Sequence, residues 1–252
     1  MVDTTRRLRI AIIAPVNTSQ YNDRLLQAVR PVLPPDVDVS VHNLHQGHDC
    51  IQNRTDWLHN GFPVVQLARQ LQDAGADGIW LSDFDMCGVE AAREVIDIPI
   101  IGGFPSSAFT ALSLCQRFGI LTILPSTLAM QQGHVLTYGQ QDNFAGIAPI
   151  NCPVDELDNV DKVVAAAMPV ALELIRQRGA QALLLGCTGF VGVADVLSQR
   201  LSEVLQTYVP VIDPNQAGVS SVIGLVRMRL RPSRLCYSAA PASSLTGPSA
   251  WR

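Results

Sequence analysis

The sequence is poor in charge and has no strong imbalance of sign: charged residues make up 16%, and 18 Lys+Arg stand against 22 Asp+Glu for a formal net charge of −4. So mild an acidic excess argues against the basic surface a nucleic-acid binder needs. Long apolar runs are missing too. The run from Ile10 to Val16 contains Pro15, falls short of the ~20 residues that span a bilayer and is unlike a cleavable signal. A soluble, cytoplasmic protein with no membrane partner is expected. The six cysteines, Cys50, Cys87, Cys115, Cys152, Cys187 and Cys236, lie far apart with no CxxC pair. That excludes a disulfide scaffold or a zinc ribbon, so any thiol that matters acts alone. The segment His42-x-x-His45-x-x-His48 followed by Cys50 looks like a metal cluster, but Gly47 breaks helical spacing and no structural zinc pattern fits. An ordinary polar loop is expected there, with no metal.

What is present is a core-forming chain: 48% of its 252 residues are hydrophobic, enough for one or two compact domains. Residues 8–14 are β-branched and apolar and stop at Pro15, as a buried strand feeding a loop does. Strands are then expected at 78–82, 98–102, 119–124, 181–186 and 209–212. Helices are expected near 88–95, 106–116, 162–178 and 191–206. That alternation is α/β with a mainly parallel sheet. From about 242 the chain carries nothing that needs burial and is expected to be a disordered tail.

The chain also resembles itself at an offset of about half its length. Gly75-Ala76-Asp77-Gly78-Ile79-Trp80-Leu81-Ser82-Asp83 lies over Gly179-Ala180-Gln181-Ala182-Leu183-Leu184-Leu185-Gly186-Cys187, and Gly88-Val89 falls over Gly192-Val193. Ile98 to Ile101 matches Val209 to Ile212, and Ile10 to Pro15 matches Ile120 to Pro125. Strand-loop-helix units share such features by chance, yet two similar halves are the better reading. Ligands of parallel sheets collect beyond the carboxyl ends of strands. The repeat puts Asp83 there in one half and Cys187 in the other. A pseudo-twofold axis would let them face each other across a cleft.

Cys187 follows its strand through Gly186, and Thr188-Gly189 leads toward the next helix. A thiol near a helix N-terminus is expected to favour the thiolate, which serves as base or nucleophile. One acid/base group on each face of a tetrahedral carbon is what stereoinversion requires. No cofactor is needed if hydrogen-bond donors stabilise the enolate. Asn17-Thr18-Ser19, Ser126-Thr127 and the backbone amides after positions 83 and 187 are the candidate donors, although such loops also cap helices. No arginine lies in these loops, so amides and hydroxyls are the expected anion binders. Phe84 is a candidate apolar wall; for Trp80 core packing is the better reading.

These residues resemble the aspartate/glutamate/hydantoin racemase superfamily, and its hydantoin racemase branch most closely, over about residues 8–241. The matching features are the Pro-x-Asn-Thr-Ser loop at 15–19, Gly88-x-x-Ala91-Ala92-Arg93-Glu94, Arg117-Phe118 with Thr122, Tyr138-Gly139, Leu185-Gly186-Cys187-Thr188-Gly189-Phe190 and Val209-Pro210-Val211-Ile212-Asp213. The segment around Cys187 is the specific one. The resemblance implies two pseudo-symmetric parallel-sheet α/β subdomains with the active site in the cleft between them. The first would span 1–112 with 213–241, the second 113–212, with a tail at 242–252. It also implies cofactor-independent proton transfer on a small-molecule substrate, hydantoin- or amino-acid-like, in a homo-oligomer. Asp83 and Cys187 are then the catalytic candidates. Asn17, Ser19, Ser82, Phe84, Asp85, Thr122, Thr188 and Gly189 are the substrate-binding candidates.

One departure bears on mechanism. The family resembles a two-cysteine design whose first cysteine lies in a Cys-Phe-x-Asp-Pro-Gly segment, and here the stretch is Asp83-Phe84-Asp85-Met86-Cys87-Gly88. Counting back from Gly88 puts Asp83 at the cysteine position, as the internal repeat does. Cys87 is four residues displaced and is expected to point elsewhere. The family's Gly-Glu segment after the fourth strand is also altered, to Gly103-Phe104-Pro105-Ser106-Ser107. Three chemistries stay open: an unequal Asp83/Cys187 racemase or epimerase, a decarboxylase using Cys187 alone as in the arylmalonate decarboxylase branch, and, ranked last, addition of Cys187 to an alkene as in the maleate isomerase branch. A homologue that binds a ligand without turnover is the non-enzymatic alternative.

Overall fold

The computed structural model describes residues 6–245. Two four-stranded sheets, parallel at every pairing, are built in the same order. In the first, β2 (Val37–Asn43), β1 (Leu8–Ala14), β3 (Gly78–Leu81) and β4 (Ile100–Ile101) lie side by side; in the second, β6 (Phe144–Pro149), β5 (Phe118–Thr122), β7 (Ala182–Leu185) and β8 (Val211–Ile212) do. The central strands are continuous apolar runs because helices cover both of their faces. Edge strand β2 alternates, Val-Asp-Val-Ser-Val-His-Asn, with only Val37 fully buried. His42, expected in a loop, is therefore on β2, where Ser40 Oγ lies 2.8 Å from its Nε2.

The helices are α1 (Asn22–Val29), α2 (Arg54–Asp73), α3 (Val89–Val95), α4 (Gly103–Leu112), α5 (Leu128–Thr137), α6 (Val160–Arg176), α7 (Val193–Leu205) and α8 (Pro214–Arg227). Local chemistry starts several of them. The Asn53 side chain accepts from the Thr55 and Asp56 amides at α2, and Asp213 from the Asn215 and Gln216 amides at α8, with Pro214 at the first helical position. Gly88 and Gly192 precede α3 and α7 at φ 73° and 77°. The left-handed backbone there favours glycine in both halves.

The strand registers refine the repeat. Ile79 pairs with Ile100 and Leu183 with Val211, as the sequence match implies. Ile10 pairs with Gly78, whereas Ile120 pairs with Leu184. Phe118, beside Ala182, is thus the counterpart of Ile10, two residues from the sequence match. A two-residue slip keeps every side chain on its own face, so an apolar run scores equally well in either register.

The last helix of each half crosses to the other sheet. α4 follows β4 but packs on β5, β7 and β8; α8 follows β8 but packs on β3, β4 and α1; the two also pack on each other. One apolar core therefore runs through both halves, joining Ile13, Val64 and Leu81 to Phe104, Phe118 and Leu184. α8 closes the far face of the first sheet with Val219, Val222 and Ile223 against Ile10, Ile12 and Trp80, so Trp80 is core. Of the segment expected as a tail, residues 242–245 form a single 3-10 turn, Leu245 packs on the core, and Gln66 Nε2 donates to its carbonyl at 3.0 Å; residues 246–252 lie outside the described part. Among the described residues no helix is long and apolar enough to cross a membrane.

Candidate active site

Both sheets aim the carboxyl ends of their central strands at one cleft of about 790 Å3, counting the space that opens to solvent. Asp83 lies just past β3 and Cys187 just past β7, and both line this cleft with Ser82, Phe84, Asp85, Thr188 and Gly189. Asn17, Ser19 and Thr122 do not line it. Asn17 and Ser19 are exposed, and the Asn17 amide donates to the His48 carbonyl at 3.0 Å. The fully buried Thr122 hydroxyl lies behind the wall, 2.5 Å from that of Thr127, which does line the cleft.

The Asp83 carboxylate is wrapped by its own loop. Its Oδ1 accepts from the Asp85 amide at 3.2 Å and its Oδ2 from the Cys87 amide at 2.8 Å. The backbone is fixed from α4, whose first free amides, Gly103 and Phe104, donate to the carbonyls of Asp83 and Phe84 at 2.9 and 3.0 Å. A Cβ at Gly103 would sit 2.7 Å from the Phe84 Cα, so this close approach requires glycine. Met86, at φ 61°, completes the turn in a left-handed conformation. Cys87 is fully buried in the core, and burial together with the neighbouring Asp83 carboxylate pushes its thiol well up.

Burial, then the neighbouring Asp85 charge, pushes the Asp83 carboxyl up to about 6, against the opposing bonds from the Cys87 and Asp85 amides and the Cys87 thiol. Asp85 is held from the second half, by Gln131 Nε2 at 3.2 Å and His134 Nε2 at 3.1 Å, both on α5. Cys187 differs from expectation. Burial pushes its thiol up to about 12, and the Asp83 and Asp85 charges add to that, so the thiol and not the thiolate is favoured. The helix does not rescue it because α7 begins only at Val193, and helix-end effects fade within a turn. One amide reaches the sulfur, that of Gly189 at 3.4 Å.

Ser82 and Thr188 tie the two post-strand loops together. The Thr188 hydroxyl donates to the Ser82 carbonyl at 3.0 Å, the Ser82 hydroxyl to Asn215 Oδ1 at 3.2 Å, and Asn215 Nδ2 to the Thr188 carbonyl at 2.8 Å. These side chains hold the catalytic candidates in place. The amides of Phe84 and Thr188, each just after a catalytic candidate in the cleft lining, meet no protein acceptor among the described residues. Sequence reasoning missed Arg24, which reaches the cleft from α1, because it sought arginines only in loops; its place five residues beyond Ser19 was the available signal. Of the histidine segment, His48 Nδ1 lies 2.7 Å from Asp56 Oδ1 and its ring stacks on His59. Among the described residues no group of three or more His, Cys, Asp and Glu could hold a metal ion.

The fold recurs in known proteins. A hydantoin racemase of Pseudomonas sp. (strain NS671) is 28% identical over 236 residues, 90% of this chain and 90% of that one. An allantoin racemase from Klebsiella pneumoniae superposes with a TM-score of 0.85 at 28% identity, covering 95% of this chain and 96% of that one. An arylmalonate decarboxylase shares the fold, with a TM-score of 0.57 at 17% identity over 86% of this chain and 92% of that one. The model of the Asp/Glu/Hydantoin racemase family matches residues 10–222, and the chain belongs to that family.

Proposed function

We propose that this protein is a cofactor-independent racemase or epimerase that moves a proton at a carbon alpha to a carbonyl in a hydantoin-like substrate, with Asp83 serving one face and Cys187 the other. The observation that carries the reading is that these two groups end equivalent strands of the two sheets and line one cleft. The hydantoin racemase and allantoin racemase to which the chain is similar support the substrate class.

The two environments support a division of roles. With Asp83 near 6 and Cys187 near 12, the resting site at neutral pH holds a carboxylate opposite a thiol. The carboxylate removes the α-proton, and the Phe84 and Thr188 amides accept the charge that develops on the enolate. The thiol then delivers its proton to the other face. The reversed site, neutral Asp83 opposite a thiolate, is the less favoured state at neutral pH. Exchange with water resets it, and the mirror-image substrate must enter through that costlier state. Replacing Cys187 by Ala should abolish inversion, and Asp83→Asn should abolish proton removal by the carboxylate. Polarimetry on single enantiomers checks both.

A second reading rests on the same thiol. A protonated Cys187 suits protonation of a carbanion formed by loss of carbon dioxide, although the Asp83 charge opposes binding of a reacting carboxylate. Release of carbon dioxide from a 2-substituted malonate, with no exchange on hydantoins, would favour it.

A further inference from the structure

One charged group of the cleft has no part in proton transfer. Arg24 projects from α1, half-buried, and is the one basic residue among the described residues lining the cleft. Its Nη2 donates to the carbonyls of Leu157 at 2.9 Å and Gly189 at 3.4 Å, so the guanidinium reaches from the first half to the second, two residues from Cys187. Both acceptors are neutral. Among the described residues its Nε and Nη1 meet no acceptor, and no carboxylate lies within ion-pairing distance. A half-buried guanidinium with unspent donors and no counter-charge gains from a ligand that supplies one. Its planar fork, with donors still unspent, matches a carboxylate in charge and in shape. Asp83 and Asp85, the other charged groups of the lining, would repel an anion elsewhere, which leaves the Arg24 end as the place for one.

We infer that Arg24 selects substrates whose reacting carbon bears a carboxylate-tipped substituent, which it binds across from the two acids. The inference rests on the proposed function for the identity of the reacting ring, and on the unspent donors of Arg24 for the substituent. The competing role for Arg24 is a latch that merely holds the halves together through Leu157 and Gly189. The two roles differ in what they do to a matched pair of substrates.

The pair is 5-(carboxymethyl)hydantoin and its amide, 5-(carbamoylmethyl)hydantoin, which differ in charge and hardly in shape. Racemisation of each is measured with wild type, Arg24→Gln and Arg24→Lys. Wild type is expected to favour the carboxylate by about tenfold or more in kcat/KM, mainly through KM. The preference should collapse toward one in Arg24→Gln and return in part in Arg24→Lys. No preference in wild type, or an equal loss on both substrates in Arg24→Gln, would overturn it. Calorimetric binding of the same two compounds separates this inference from the functional reading. If neither is turned over but wild type binds the carboxylate and Arg24→Gln does not, the inference stands and the racemase reading fails; equal binding by both proteins overturns the inference.

Discussion

At the scale of single residues, the proposed mechanism turns on two groups that burial pushes in the same direction with opposite consequences. A carboxyl raised to about 6 is still mostly ionised at neutral pH and is a stronger base than a free aspartate; a thiol raised to about 12 is a proton donor and not a nucleophile. kcat/KM should therefore rise with pH through about 6 and then stay level through mildly alkaline pH, as a pH-rate profile would show. A falling limb below pH 9 would contradict the thiol assignment. Asp213 has a separate pH signature. It is buried, caps α8 and is also raised to about 6, above its ordinary ~3.9. Its ionisation therefore costs stability: its favourable contribution is full below about 4 and is lost as pH rises through about 6. Asp213→Asn keeps the capping oxygen, and should be more stable than wild type by about 2 kcal/mol at pH 8, with the gain vanishing below pH 4 in denaturant titrations. That Asp83 and Cys187 share one cleft was legible in the sequence because the repeat aligns them. The thiol's protonation was not, because it depends on burial and on the distance to α7, and Arg24 was not, because a long side chain acts far from its own backbone.

At the scale of elements, central strands announce themselves as apolar runs, and β1, β3, β5 and β7 stood where the sequence put them. Edge strands β2 and β6 did not, since neither is a continuous buried apolar run. α2 hides behind Gly61 and Pro63 in its interior, two residues that argue against a helix locally and are overridden by its packing on the core. The element that matters most for chemistry is the junction of β3, the Asp83 loop and α4. Gly103→Ala places a methyl group against the Phe84 backbone and should destabilise the fold by about 1–3 kcal/mol. Because the displaced atoms carry Asp83, racemisation should fall further than the folded fraction does. Activity per folded molecule equal to wild type would show that the junction does not position the carboxylate.

At the scale of the molecule, two halves with the same strand order are made into one body by exchanging α4 and α8. The sequence shows the repeat but not the exchange, because helix amphipathicity says that a face is buried and not against which sheet. The shared core predicts a single cooperative unfolding transition. In a Trp251→Phe variant, the fluorescence of Trp57 and Trp80, which reports on the first half, and far-ultraviolet circular dichroism, which reports on both, should give coincident denaturant curves. Separate midpoints would mean that the exchanged helices do not couple the halves, and that the cleft between them is held only by contacts such as the Ser82–Asn215–Thr188 ring.

The claim that Asp83 and Cys187 address opposite faces of one carbon is tested most directly by proton NMR in D2O on single enantiomers of a 5-substituted hydantoin. Wild type should introduce deuterium at the α-carbon with inversion. Cys187→Ala should still exchange the proton of one enantiomer, the one facing Asp83, with retention and without racemisation, and Asp83→Asn should lose that exchange. Racemisation by Cys187→Ala at the wild-type rate would contradict the account.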